Sequence, residues 1–181
     1  DRLNHRMSCL FNRGGFVFDK LGIILGLGLA LFTSSGLAQS LSSVGGDVYV
    51  SDAKSALAVD APRDVFATGF SVSITGAVGG DAHAAGFNVH IDAPVYADLY
   101  AAGANITVHQ SVGDDLSVSG FNVDLASTGS VGGNARIAAG TAIINAPISG
   151  SLVVSVGTIE LNSHVDGDVQ IAAADIEFGS E

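Results

Sequence analysis

Among 181 residues there are one cysteine, three prolines and no tryptophan. The lone Cys9 excludes an intrachain disulfide, so backbone ladders and core packing must hold the chain together. Basic side chains are scarce as well. After residue 39 only Lys54, Arg63 and Arg136 remain, three bases against 16 acids, for a net charge of −13. A surface of that sign repels phosphate backbones, which argues against nucleic-acid binding. Only 14% of residues are charged while 48% are hydrophobic, enough for a continuous core and against disorder. Three prolines beside 24 glycines exclude a collagen-like or linker composition, so glycine reads as punctuation at tight turns.

The bases that do occur early mark a targeting segment. Arg13 and Lys20 precede the apolar run Leu21 to Phe32, and the small-residue stretch TSSGLAQS follows. Charged, apolar and small-residue parts in that order predict a secretory signal peptide over 1–38, starting at Met7 and cleaved after Ala38. The alternative is an uncleaved anchor, because residues 21–38 are just long enough to span a bilayer. Cys9 precedes the apolar run and cannot be a lipidated cysteine at the cleavage site, so the cleaved chain would contain none. The first reading places residues 39–181 outside the cytoplasm, in the periplasm or secreted, and the alternative leaves them anchored to a membrane by residues 21–38.

Those residues are repetitive. Units begin at Val44, Ala61, Val78, Val95, Val112, Val131, Ile148 and Val165; each has 17 residues except the one at Val112, which has 19. Its two extra residues fall in ASTGS after Leu125, where a turn can absorb them. Positions 5 and 7 of the unit are apolar, as in Val48/Val50, Leu99/Ala101 and Leu152/Val154, and so are positions 12 and 14, as in Val72/Ile74 and Ile106/Val108. Period two predicts strands with one buried face, and no helical stripe survives. A 17-residue unit suits one turn of a coil, so the expected fold is all-β. It is a single-stranded parallel β-solenoid of about eight turns, stacked about 4.8 Å apart and roughly 38 Å long. Position 10 is Phe70, Phe87 and Phe121 where position 7 is alanine or valine, and glycine or alanine where position 7 is Ile137, Val154 or Ile171. This exchange of volume predicts that all six residues share the core. The alternative for the phenylalanines is an exposed aromatic strip.

The phrases VGGDVYV (44–50), VGGDAHAAGFNVHIDAP (78–94), VGGNARIAAGTAIINAP (131–147) and VDGDVQIAA (165–173) resemble the bactofilin, or polymer-forming cytoskeletal, family. The resemblance covers about three quarters of the chain. It implies a right-handed β-helix that polymerises end to end without a nucleotide. Bactofilins are typically cytoplasmic, so with its export signal this chain is best described as an exported relative. A left-handed hexapeptide helix is disfavoured, because 17 breaks a strict period of six.

Position 4 forms a polar column of Asp47, Asp64, Asp81, Asp98, Asp115, Asn134, Ser151 and Asp168. All these side chains carry an oxygen that can accept from backbone two residues on, so a turn-stabilising role is expected. The competing expectation is a divalent cation ladder along Asp64, Asp81, Asp98 and Asp115, whose carboxylates repel one another by about 1 kcal/mol even in water. Asn88, Asn105 and Asn122 at position 11 predict an outward amide ladder. Asn105-Ile106-Thr107 also matches a glycosylation sequon. His83, His90, His109 and His164 occupy four different positions, and only His90 and His109 could be diagonal neighbours, which points to surface histidines and not to a metal site.

No Ser-His-Asp order with an elbow motif and no lysine after the Gly pairs is present, so neither an enzyme nor a cofactor is expected. A solenoid has two strand edges that recruit other chains unless capped. In the first unit Asp52, Ala53, Lys54 and Ser55 replace the usual Gly-Phe-polar-Val stretch, which reads as a partial cap. The expected role is therefore an exported scaffold that self-associates through solenoid ends, with a second copy as its partner. The alternative is a module that binds cell-envelope glycan or protein through the outward Tyr49, Phe66, Tyr96 and Tyr100.

Overall fold

The computed structural model describes residues 40–179. The signal segment, its cleavage after Ala38 and the alternative anchor at 21–38 lie outside them. Among the described residues there are ten strands: β1 (Ser40–Val44), β2 (Asp47–Ser51), β3 (Lys54–Leu57), β4 (Val65–Ile74), β5 (Ala82–Ile91), β6 (Leu99–Val108), β7 (Leu116–Leu125), β8 (Ala135–Ile144), β9 (Leu152–Leu161) and β10 (Val169–Phe178). No helix occurs among the described residues. From β4 onward each strand pairs in parallel with the next, and β2 and β3 together make the first turn beneath β4. The result is a parallel β-solenoid of about eight turns.

Register follows the repeat. Val65 lies opposite Ala82, which lies opposite Leu99, a step of 17 residues; only Leu116 opposite Ala135 steps by 19. The two extra residues are taken up by a tight turn in which the Gly129 N–H donates to the Ala126 carbonyl at 3.0 Å. A third line of contact runs through position 1, from Ala61 to Val78, Val95, Val112, Val131, Ile148 and Val165. Each turn thus has three sides, with positions 1, 5, 7, 12 and 14 facing inward. Leu99, Leu116, Ile91, Ile144 and Ile159 are fully buried there, and burial of each such side chain contributes about 1.5–3 kcal/mol.

The phenylalanines do not join this interior. Ile137 and Val154 are buried and Ile171 is half-buried in the last turn, but Phe70, Phe87 and Phe121 are 63%, 51% and 69% exposed. Positions 7 and 12 both point inward although they are an odd number apart, so the strand must lose its alternation at a corner between them. That corner falls at positions 9 and 10, which turns position 10 outward. It is tight: a Cβ on Gly86 would lie 2.6 Å from the Gly69 carbonyl oxygen, and one on Gly103 would lie 2.4 Å from that of Gly86. The exchange of volume between positions 7 and 10 is therefore not an exchange within one cavity. In the later turns it is Ala139, Val156 and Ala173, at position 9, that pack partly against the core.

The first turn departs from the repeat in a second way. Val44 does not enter the position 1 column but ends β1, which runs antiparallel to β2 from Ser40 opposite Ser51 to Val44 opposite Asp47. Gly45 and Gly46 make this reversal with φ of 66° and 98°, a region that only glycine enters freely. In later turns the same Gly pair is held against the backbone of the turn before. Among the described residues no such turn precedes Gly45 and Gly46, and the chain folds back over the edge of β2. The partial cap is thus β1, while the irregular 52–55 stretch splits the turn into β2 and β3. Ser55, buried at position 12, donates to the Thr68 carbonyl.

Candidate functional site

The solenoid carries its chemistry on its outside, in columns set by the register. At position 4 every side chain from Asp64 to Ser151 accepts a hydrogen bond from the backbone of the following turn, while Asp47 instead pairs with Arg63 Nε at 3.2 Å. The Asp81 N–H donates to Asp64 Oδ1 at 3.1 Å, Asp98 to Asp81 at 3.1 Å, Asp115 to Asp98 at 2.9 Å and Asn134 to Asp115 at 2.8 Å. Ser151 and Asp168 continue the series on Asn134 Oδ1 and Ser151 Oγ. The expected turn-stabilising oxygen is thus used between turns, about 17 residues away, and not two residues on. This explains why Asp, Asn and Ser exchange freely in the column: each supplies the one acceptor required.

The carboxylates proposed as a cation ladder, Asp64, Asp81, Asp98 and Asp115, therefore each commit one oxygen to the fold. Asp115 also binds Arg136 Nη1 through Oδ2 at 3.2 Å. The Asn134 N–H, with help from Arg136, holds the Asp115 carboxyl below its ordinary value. No cluster of three or more His, Cys, Asp or Glu side chains suited to a metal occurs among the described residues.

At position 11 the expected amide ladder is present: Asn105 Nδ2 donates to Asn88 Oδ1 at 2.9 Å and Asn122 Nδ2 to Asn105 Oδ1 at 2.8 Å. The nitrogen that glycosylation of Asn105 would modify is thus bonded within the ladder. A second ladder, unforeseen from the sequence, joins Asn162 Nδ2 to Asn145 Oδ1 at 2.9 Å. His109 Nδ1 lies 2.6 Å from Asp92 Oδ1, directly one turn below it, and His164 Nε2 lies 2.8 Å from Asp166. His90 faces Ser73 and Thr107, so it and His109 form no pair.

The most ordered outward feature is aromatic. At position 6, Tyr49, Phe66, His83 and Tyr100 stack in sequence, with centroids 5.0, 4.6 and 4.9 Å apart and planes within 8°. His83 belongs here by virtue of its ring, a role that counting histidines as ligands obscures. Phe70 and Phe87 make a parallel stack at the corner, 5.1 Å apart. Tyr96 stands outside both, 67% exposed. Tyr100 donates its hydroxyl to Asp98 Oδ2 at 3.0 Å, and this bond, with the negative charge of Asp98, raises the phenol's pKa above its ordinary value. Because the rings lie face to face, the ladder presents ring edges to solvent and keeps most faces for itself.

At the far end of the rod, β10 is paired with β9 on one side only among the described residues. Positions that are buried in every middle turn open to solvent there. Val169 is 47% and Ile176 44% exposed, against 0% for their counterparts Leu152 and Ile159. No family model, no curated protein and no solved structure matches this chain.

Proposed function

We propose that this protein is an exported, bactofilin-like scaffold that self-associates through the ends of its solenoid without nucleotide. The carrying observation is the last described turn. There Val169, Ile176 and the 70%-exposed Phe178 extend the interior columns to an unpaired strand edge. Such an edge is best matched by strands of the same spacing and the same apolar alternation, which a second copy supplies. At the other end β1 already lies across β2, so the two ends are unlike. The coil is right-handed in this reading, as parallel crossover connections usually are.

Sedimentation velocity on the full chain, in wild type and in an Ile176→Lys/Phe178→Lys variant, tests the proposal. Wild type should form concentration-dependent assemblies, and the variant should remain monomeric with an unchanged circular dichroism spectrum. A wild type that stays monomeric at high concentration, or a variant that assembles equally well, contradicts the reading. Export is tested separately by fusing residues 1–38 to a reporter active only outside the cytoplasm. A glycan-binding module is the weaker reading, because sugars stack on aromatic faces and the ladder uses most of its faces internally.

A further inference from the structure

The position 6 ladder stops one turn short of a guanidinium. Tyr100 lies opposite Ser117, and Ser117 lies opposite Arg136, so a small hydroxyl separates a ring from a cation. Both flanking groups are fixed, Tyr100 by Asp98 and Arg136 by Asp115. Two turn spacings put their backbones about 9.6 Å apart. The ladder itself shows what such a spacing accepts, since its own rings sit 4.6–5.0 Å apart, one to a turn.

We propose that the Ser117 level is a binding slot for an aromatic side chain carried on a basic peptide segment. The guest ring extends the ladder, with one face on Tyr100 and the other under Arg136, where a cation over an aromatic face is favourable. Tyr100 is 40% exposed, and no ring among the described residues covers its Ser117 side. Beside the slot, Ser119 at position 8 lies between Ala102 and Ala138, so small side chains allow a peptide backbone to approach.

Charge selects the rest of the guest. Asp98 and Asp115, bonded to Tyr100 and Arg136, border the slot, and the two arginines on this face, Arg63 and Arg136, are each already paired with an aspartate. Phosphate-bearing aromatics are repelled there, and lysines or arginines flanking the ring are attracted. This site is distinct from the solenoid ends and does not depend on self-association.

The chain has no tryptophan, so fluorescence of the peptide Lys-Trp-Lys, excited at the red edge where tyrosine does not absorb, reports on the probe alone. Titration with the full chain should give a saturable change, weaker by at least about tenfold for Glu-Trp-Glu, as expected for a charge-selected stacked ring. Ser117→Phe should fill the slot, raise Tm and weaken Lys-Trp-Lys binding by about tenfold or more. Arg136→Gln should weaken it without the gain in Tm. Equal binding of Lys-Ala-Lys, equal binding by the folded Ser117→Phe variant, or no saturable binding by wild type overturns the proposal. Binding of a neutral β-linked oligosaccharide without binding of the tryptophan peptide does so too, and assigns the slot to a sugar.

Discussion

Asp81 illustrates how little the repeat asks of a single residue. Its Oδ1 accepts the Asp98 N–H, and its charge is not needed for that bond. Asp81→Asn should therefore leave stability unchanged or raise it slightly by easing repulsion between adjacent turns. Asp81→Ala strands a half-buried N–H and should cost about 1–2 kcal/mol in urea denaturation. Tyr100 supplies a pH-dependent counterpart. Its raised pKa means that its contribution to stability is complete below the unfolded value of about 10 and is lost as pH rises through the folded value. In a Tyr49→Phe/Tyr96→Phe background, Asp98→Asn keeps an acceptor for the backbone yet should bring the Tyr100 titration back towards the ordinary value, read by NMR. Asp115 works in the opposite sense: its lowered pKa gives stability present above the ordinary carboxylate value and lost as pH falls through the folded one. The position 4 column was legible in the sequence because it recurs every 17 residues. Its bonding partner was not, because pattern alone does not separate an acceptor serving its own turn from one serving the next.

At the scale of the strand, the corner decides what is core. Alternation along Phe70, Val72 and Ile74 looks continuous in sequence, and a straight strand would bury all three. The bend at Gly69 and Phe70 breaks the phase, which no local pattern of apolar residues can reveal. What could have signalled it is the odd spacing between the inward positions 7 and 12, together with glycine at position 9. Substitution separates the two assignments. Phe87→Ala removes one ring of an exposed stack and should cost about 0.5–1.5 kcal/mol, whereas Ile91→Ala empties a buried position and should cost about 2–5 kcal/mol. Comparable losses at both sites would return the phenylalanine to the core. The aromatic ladder was only partly legible: Tyr49, Phe66 and Tyr100 were recognisable as outward, but their stacking and the inclusion of His83 follow from a parallel register that places equivalent positions directly above one another. The reversal at Gly45 and Gly46 was hidden for a related reason, since the same Gly pair takes another conformation wherever a preceding turn supports it.

The described solenoid as a whole follows from neighbour-to-neighbour contacts. Because each turn touches only the turns beside it, the 19-residue unit disturbs nothing beyond its own loop, and stability accumulates along the rod. The same property leaves the last described turn covered on one side only, with Val169, Ile176 and Phe178 exposed on the side that a further turn or a second copy would cover. The proposed scaffold role rests on a second copy supplying that cover. Negative-stain electron microscopy of the purified full chain, without nucleotide or metal, addresses this most directly. The account predicts thin rods joined end to end, their lengths stepping by roughly 38 Å, the rise of eight turns. A field of single particles no longer than one solenoid, at a concentration where the chain also sediments as a monomer, would contradict it.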